Sequence, residues 1–276
     1  MSILLDIQHV TYAYPVEAGQ SPVLRDVSLQ VQEGEYVVVL GHNGSGKSTL
    51  ARLCNALLLP DQGNVLVGGM NTRDITKRRS IRDTVGIIFQ NPDNQIIATL
   101  VEDDIAWSLA VQGATPELIA ERVEAAMAAV GVTALRQLAP HKLSGGQRQR
   151  VAIAGILALR PRCIIADEAT SMLDPLARQE IVALLHQLHR EYGLTIIHVT
   201  HLLEEAALAQ RVVILEQGQL VLAGTPAEIF ANTQTLQTLK LTLPEPIMLA
   251  GRLRELGYAI ADNALTIEAI AQELRP

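Results

Sequence analysis

Apolar residues recur along this chain with two periods, and the switches between them outline its elements. Three runs near the start, Ile3-Leu4-Leu5, Val10 to Tyr14 and Val27 to Val31, alternate as half-buried strands do. Glu33-Gly34 marks a turn, and Tyr36 to Leu40 is a continuous apolar strand. A glycine-rich loop follows at once, and Lys47 to Leu58 then carries helical spacing. Val85 to Phe89, Cys163 to Ala166 and Leu194 to Thr200 read as further buried strands, the last two flanking a helical stretch from Asp174 to Tyr192. Short apolar strands separated by helices predict an α/β fold whose sheet is covered on both faces. Between residues 91 and 160 no convincing strand is visible; Pro116 to Val130 and Gly145 to Leu159 have helical spacing. A mostly helical subdomain inserted into the α/β body is therefore expected there. Val212 to Leu215, the turn Gln217-Gly218 and Leu220 to Ala223 form a closing hairpin. Beyond Gly224, Pro226, Pro244 and Pro246 punctuate short helical pieces, and Tyr258 to Ile267 predicts a small hairpin turning at Asp262-Asn263. The expected division is a body over residues 1–225 and an appendage over 226–276.

Composition narrows this picture. Of 276 residues 49% are hydrophobic and only 3% aromatic, so a sizeable core must be built from Ala, Leu, Ile and Val. The mean hydropathy is slightly positive, which raises the question of a membrane span. Runs such as Val151 to Leu159 are too short for the roughly 20 apolar residues a spanning helix needs, and Asp6 interrupts any N-terminal signal. A soluble, cytoplasmic chain is expected. A net charge of −7 argues against a nucleic-acid partner, whose phosphates need a cationic stripe. Cys54 and Cys163 sit among apolar neighbours without metal-ligand spacing and read as buried thiols.

The chemistry concentrates in three short segments. Gly41-His42-Asn43-Gly44-Ser45-Gly46-Lys47-Ser48, followed by Thr49, fits G-x-x-x-x-G-K-[ST] between a strand and a helix. Its glycines let successive N–H groups converge on a phosphate, and the helix start adds partial positive charge. Lys47 supplies a full charge for the β- and γ-phosphates, and the Ser48 hydroxyl can ligate Mg²⁺. The strand Cys163 to Ala166 ends in Asp167-Glu168. There Asp167 can orient Mg²⁺ or its waters and Glu168 can polarise an attacking water. Leu143-Ser144-Gly145-Gly146-Gln147 opens a helix; Ser144 and Gln147 have the spacing of a capping box, and the same geometry makes an anion site.

In that order these three segments resemble the ATPase subunits of ABC transporters, over about residues 3–225. That family's fold is a P-loop NTPase core, RecA-like, with an antiparallel β-subdomain and an inserted helical subdomain; a small C-terminal appendage is added here. The resemblance implies ATP and Mg²⁺ as cofactors and assigns further roles. Tyr14 matches the aromatic that stacks on adenine, and Gln90 the glutamine that reaches Mg²⁺ and the attacking water. Ser171 to Asp174 matches the loop that couples two active sites, and His201 the histidine at the γ-phosphate, whereas His198 reads as a packed strand residue. Ser144, Gly145, Gly146 and Gln147 would close over the nucleotide of a partner chain. Asn91 to Gln95, Val101 to Ala106, Asp167 to Pro175 and Leu243-Pro244 look, more narrowly, like the ATPases of energy-coupling factor (ECF) transporters, the first of the two paired kinds. This implies a second ATPase subunit or second copy, a membrane T subunit, a substrate-binding S subunit, uptake of a vitamin or transition-metal ion, and a peripheral place on the cytoplasmic face of a bacterial membrane. A different importer, or an ABC-type ATPase working away from membranes, is the alternative. The appendage would help join the paired ATPases.

Overall fold

The computed structural model describes residues 2–15 and 21–274; Met1 and the last two residues of the expected appendage lie outside them. Strands β1 (Ile3–Tyr12) and β2 (Leu24–Gln32) pair antiparallel, and β3 (Tyr36–Leu40) leads into α1 (Lys47–Cys54). Helix α1 stops short of Leu58: Ala56 takes a left-handed φ of 55°, the Leu57 N–H turns back to the Arg52 carbonyl at 2.9 Å, and the Asn55 amide is held by the Val85 carbonyl. Next come β4 (Gln62–Val67), β5 (Met70–Asn71) and α2 (Arg78–Thr84), then β6 (Val85–Ile88). The helical insertion is real and holds α3 (Val101–Val111), α4 (Pro116–Ala129) and α5 (Gly145–Leu157). Helix α3 was not expected. Glu102, Asp103 and Asp104, which resemble a solvated surface run, occupy its first turn, where acids favour the helix dipole.

The chain continues through β7 (Cys163–Asp167), α6 (Pro175–Tyr192), β8 (Thr195–Thr200), β9 (Arg211–Glu216) and β10 (Gln219–Gly224). Two sheets result. An antiparallel one has the order β2-β1-β4-β5, and a six-stranded one the order β10-β9-β3-β8-β7-β6, parallel except for the hairpin strand β10. Strands β3, β6, β7 and β8 of the larger sheet are buried on both faces, as their unbroken runs require. Tyr36, Val38 and Leu40 of β3 point into one core with the helical insertion and α6, while Val37 and Val39 point into a second core with α1 and the antiparallel sheet. That division by alternate residues is the pleat itself.

The appendage begins with α7 (Pro226–Ala231) and α8 (Thr233–Thr238), followed by α9 (Glu245–Glu255) and α10 (Ile267–Glu273). Ile229, Phe230, Leu236 and Leu241 belong to the main core, so packing continues straight across residue 226. Only Ala250, Ile260, Ala264 and Ile270 make a small cluster of their own. The expected hairpin over Tyr258 to Ile267 is not formed. Asp262-Asn263 does turn, but the flanking backbone is taken up by side chains: the Arg254 guanidinium donates to the Ile260 and Ala261 carbonyls at 2.8 and 2.7 Å, and the Ala261 N–H donates to Glu273 at 2.7 Å. With these groups satisfied no strand ladder is needed. Both cysteines are free and buried, and burial pushes the Cys54 thiol up to about 12.

Candidate nucleotide site

In open parallel sheets, ligands gather at the carboxyl ends of the strands. Here β3 runs out at Leu40 opposite Thr200 of β8, Asp167 of β7 lies opposite Val199, and Ile88 of β6 lies opposite Ala166. The register therefore delivers four chain exits to one edge: the glycine-rich loop from Gly41, Gln90, the Asp167-Glu168 pair, and His201. Residues separated by up to 160 positions become neighbours because the strands that carry them are adjacent.

The loop is held from below by its own lysine. Lys47 is buried, and its Nζ donates to the Gly41 and His42 carbonyls at 2.8 and 2.9 Å while lying 3.4 Å from Glu168 Oε1. Burial draws the Lys47 pKa downward, and the carboxylates of Glu168 and Asp167 oppose that fall. Gly46 stands before α1 at a φ of 104°, and a Cβ there would meet Leu24 Cδ2 at 2.7 Å. Both conformation and space thus require glycine. The Ser45 hydroxyl is buried without a partner, an orphaned donor inside a loop of N–H groups that suits a phosphate. Asn43 and Gly44 complete the loop. Thr49 is buried and its Oγ1 lies 3.2 Å from the Tyr14 hydroxyl, so Tyr14 stands at the rim, edge-on to Tyr12.

Ser48 donates to Asp167 Oδ1 at 2.7 Å. Burial raises the Asp167 pKa and the Ser48 hydrogen bond counters it. Gln90 is exposed and shares with Ser48 and Asp167 a cleft of about 410 Å³. No cluster of three or more His, Cys, Asp or Glu that would cage a metal occurs among the described residues. A hydroxyl, a carboxylate and an amide oxygen on one cleft instead fit Mg²⁺, which keeps waters and takes phosphate oxygens for the rest of its octahedron.

Glu168 sits in a left-handed conformation with φ of 50°, its N–H held by the Val199 carbonyl at 2.9 Å and its own carbonyl capped by Ser171. A strained non-glycine residue at a strand end is the kind of outlier that functional sites retain. Its second oxygen, Oε2, lies 4.0 Å from His201 Nδ1, a buried nitrogen with no hydrogen-bond partner. One carboxylate thus faces both Lys47 and His201. His198, three residues back, is fully buried and turned away from this edge.

Ser144 caps α5 with the full capping box: its hydroxyl accepts from the Gln147 N–H at 3.2 Å and Gln147 Oε1 accepts from the Ser144 N–H at 2.9 Å. A Cβ on Gly146 would lie 3.1 Å from Ala177 Cβ, so close approach to α6 explains the second glycine, beside Gly145. No hydrogen bond or ion pair among the described residues joins Ser144–Gln147 to the loop at 41–48 of the same chain. Asp174 caps α6, accepting from the Ala177 N–H at 3.0 Å.

The partners of several named residues, and the appendage's place beside the loop, escaped the sequence reading. His42 Nε2 is hydrogen-bonded to the Leu239 carbonyl, and Lys240 to Pro246 wall a cleft of about 760 Å³ with His42, Asn43 and His201. The appendage thus borders the phosphate loop; nothing local in the sequence signals so distant a contact. Gln95 accepts from the Phe89 N–H at 2.7 Å and donates to the Ile87 carbonyl at 3.3 Å, and Asp104 accepts from the Ile97 and Ala98 N–H groups at 2.7 and 3.0 Å. Together they shape the segment that leaves Gln90.

Known proteins agree with this geometry. The family model described as ABC transporter matches residues 24–171. The energy-coupling factor transporter ATP-binding protein EcfA1 of Caldanaerobacter subterraneus is 46% identical over 273 residues, 99% of each chain. The protein of the same name from Clostridium novyi is 47% identical over 272 residues, 98% of this chain and 97% of its own. Among solved structures, cbiO1 from Clostridium perfringens, described as part of the ABC transporter complex cbiONQ, is 33% identical with a TM-score of 0.78, covering 91% of this chain and 100% of its own. The ATP-binding cassette MJ0796, solved as a dimer bound to ADP and Pi, is 30% identical with a TM-score of 0.73, over 80% and 98%. No helix among the described residues is long and apolar enough to cross a membrane. With a phosphate loop, a carboxylate-ended strand and full-length relatives all in accord, the chain belongs to the ABC transporter family, among the ATP-binding ATPases of energy-coupling factor transporters.

Proposed function

We propose that this chain hydrolyses MgATP to drive uptake of a vitamin or transition-metal ion at the cytoplasmic face of a membrane. The observation that carries the chemistry is the placement of Glu168 between Lys47 and His201, at 3.4 and 4.0 Å. Lys47 and the loop N–H groups, with the orphaned Ser45 hydroxyl, would hold the β- and γ-phosphates, and Tyr14 would face the adenine. Ser48, Asp167 and Gln90 would hold Mg²⁺, which when bound supplies charge neutralisation at the phosphate oxygens. Glu168 then takes a proton from the attacking water as its oxygen bonds to the γ-phosphorus, and ADP leaves with the bridging oxygen. His201 Nδ1 steadies the γ-phosphoryl group as it transfers. Positioning and electrostatics of this kind make up most of phosphoryl-transfer catalysis.

The site is completed by a neighbour. Ser144, Gly145, Gly146 and Gln147 would lie against the nucleotide of a second ATPase, either a homologue or another copy, with Asp174 linking the two sites. The separation of this segment from the chain's own loop supports that reading. Mixing Lys47→Ala chains with Gly145→Asp chains tests it, because each hybrid pair retains one intact composite site. ATP-dependent pairing and hydrolysis should return in the mixture; none, with hybrids formed, would contradict it.

Coupling to a membrane T subunit would use the groove of about 590 Å³ lined by Asp93, Ile97, Thr99, Pro140, His141 and Arg148. Arg148 Nε pairs with Asp93 at 3.0 Å across it, tying the Gln90 segment to helix α5. Ile97 is exposed and suits a cysteine crosslink to that subunit, whereas Gln95 is occupied by its bonds to β6. Solute recognition falls to an S subunit. Crosslinks confined to the opposite face would sink this docking site.

A further inference from the structure

A buried polar chain runs beneath the hydrolytic edge, and none of the roles above uses it. Tyr36, His198 and Glu205 are all buried, with Thr170 beside them. The Tyr36 hydroxyl lies 3.2 Å from His198 Nδ1, and His186 stacks on the tyrosine ring at 4.2 Å between centroids. His198 Nε2 is 3.2 Å from Glu205 Oε2, and the Thr170 hydroxyl donates to Glu205 Oε1 at 2.7 Å. Burying a carboxylate is expensive, and an apolar side chain would pack there without that penalty. Burial pushes the Glu205 pKa upward, yet the contacts with His198, Thr200 and Thr170 outweigh it and hold the group below its ordinary range. The charge is therefore sustained by its partners, and those partners lie on the two segments that carry the reacting groups.

Thr170 follows Glu168 by two residues, inside the turn closed by the Ser171 N–H on the Glu168 carbonyl at 3.1 Å. Glu205 lies in the helical turn Leu203–Ala206, just past His201. One carboxylate thus ties the turn after Glu168 to the turn after His201, and through His198 to strand β8 between them. We propose that Glu205 is a positioning residue for hydrolysis: from behind the site it fixes the spacing between Glu168 and His201. The inference rests on the hydrolytic reading above. Misplacement of reacting groups by about an ångström can cost on the order of 100-fold in rate, so a buried brace has a chemical use that packing alone does not.

Removing Glu205 outright would leave His198 Nε2 and the Thr170 hydroxyl buried with no neighbour of their own, so the test is carried by the gentler Thr170→Val, with Thr170→Ser as its conservative rescue and Glu205→Gln beside them. In Thr170→Val, kcat for MgATP should fall about tenfold, within the 100-fold bound of such misplacement, while KM stays within about twofold of the parent. Thr170→Ser should restore kcat. The His201 Cε1–H NMR signal, assigned with His201→Ala, should move in Thr170→Val and return in Thr170→Ser. A folded Thr170→Val chain with an unmoved His201 signal and kcat within twofold of the parent overturns the proposal, as does a change in KM alone. A parent that fails to turn over MgATP with its partners present overturns the hydrolytic reading instead, and the His201 signal still decides whether the brace sets that residue's position.

Discussion

The phosphate-binding edge meets the appendage at Leu239, yet that edge and the appendage's far end are built differently. Strands β3, β7 and β8 are buried along their whole length, and their apolar residues are divided between two large cores. The segment from Glu245 to Leu274 holds four buried residues of its own, while Met248, Leu249, Leu256, Tyr258, Ile267 and Leu274 remain exposed. Catalytic groups must be held to fractions of an ångström, which deep packing provides. A surface that meets another chain must instead leave apolar area uncovered. The nucleotide edge is deeply packed, and the tail leaves uncovered the apolar area that its expected part in joining the paired ATPases would use.

Truncating one core isoleucine in each region gives the largest contrast. Ile164→Ala, in β7, should cost about 2–5 kcal/mol of stability, the usual range for such a cavity, and should weaken ATP binding with it. Ile270→Ala, in α10, should loosen only the tail, leaving the main unfolding transition and ATP binding as they were. Equal losses in chemical denaturation would erase the proposed difference.

A middle-sized effect comes from pH. Burial beneath Tyr36, with His198 and His189 near by, holds the His186 pKa at about 4, below its ordinary 6.5. Between those values the unfolded chain takes up a proton that the folded ring refuses, so stability present above pH 6.5 drains away as pH falls toward 4. His186→Phe keeps the stack and removes the titration, so its melting temperature should vary less across that window. Parallel curves for the two proteins would show that another group sets the acid limit.

The smallest stability effect belongs to the tail's open face. Leu256→Asp should shift unfolding by no more than about 0.5 kcal/mol, as exposed substitutions do, while weakening nucleotide-free association of the ATPases in sedimentation. Unchanged association would remove the tail's proposed role in pairing.

What could be read from the sequence follows the range of the signal. The glycine loop, the Asp167-Glu168 strand end and the capping box at Ser144 are each defined within a few residues, and the structure holds them at one strand edge or helix start. Strand β4 shows no clear run because Gln62, Gly63 and Asn64 fill its first half with residues that read as a turn. The hairpin expected after Tyr258 failed because Arg254 and Glu273, outside the segment, satisfy its backbone. The same limit hid Glu205, whose partners Thr170 and His198 lie 35 and 7 positions away, and the bond between His42 and Leu239, 197 positions apart. Period and spacing report local structure; they are silent on which buried carboxylate meets which hydroxyl.

Glu168 is the group proposed to activate water. Glu168→Gln should bind MgATP as the parent does, measured at equilibrium, while turnover falls by ~10²–10⁴-fold, the usual consequence of losing a catalytic base. A Glu168→Gln chain that kept more than about half the parent turnover at saturating MgATP, far outside that range, would contradict the account.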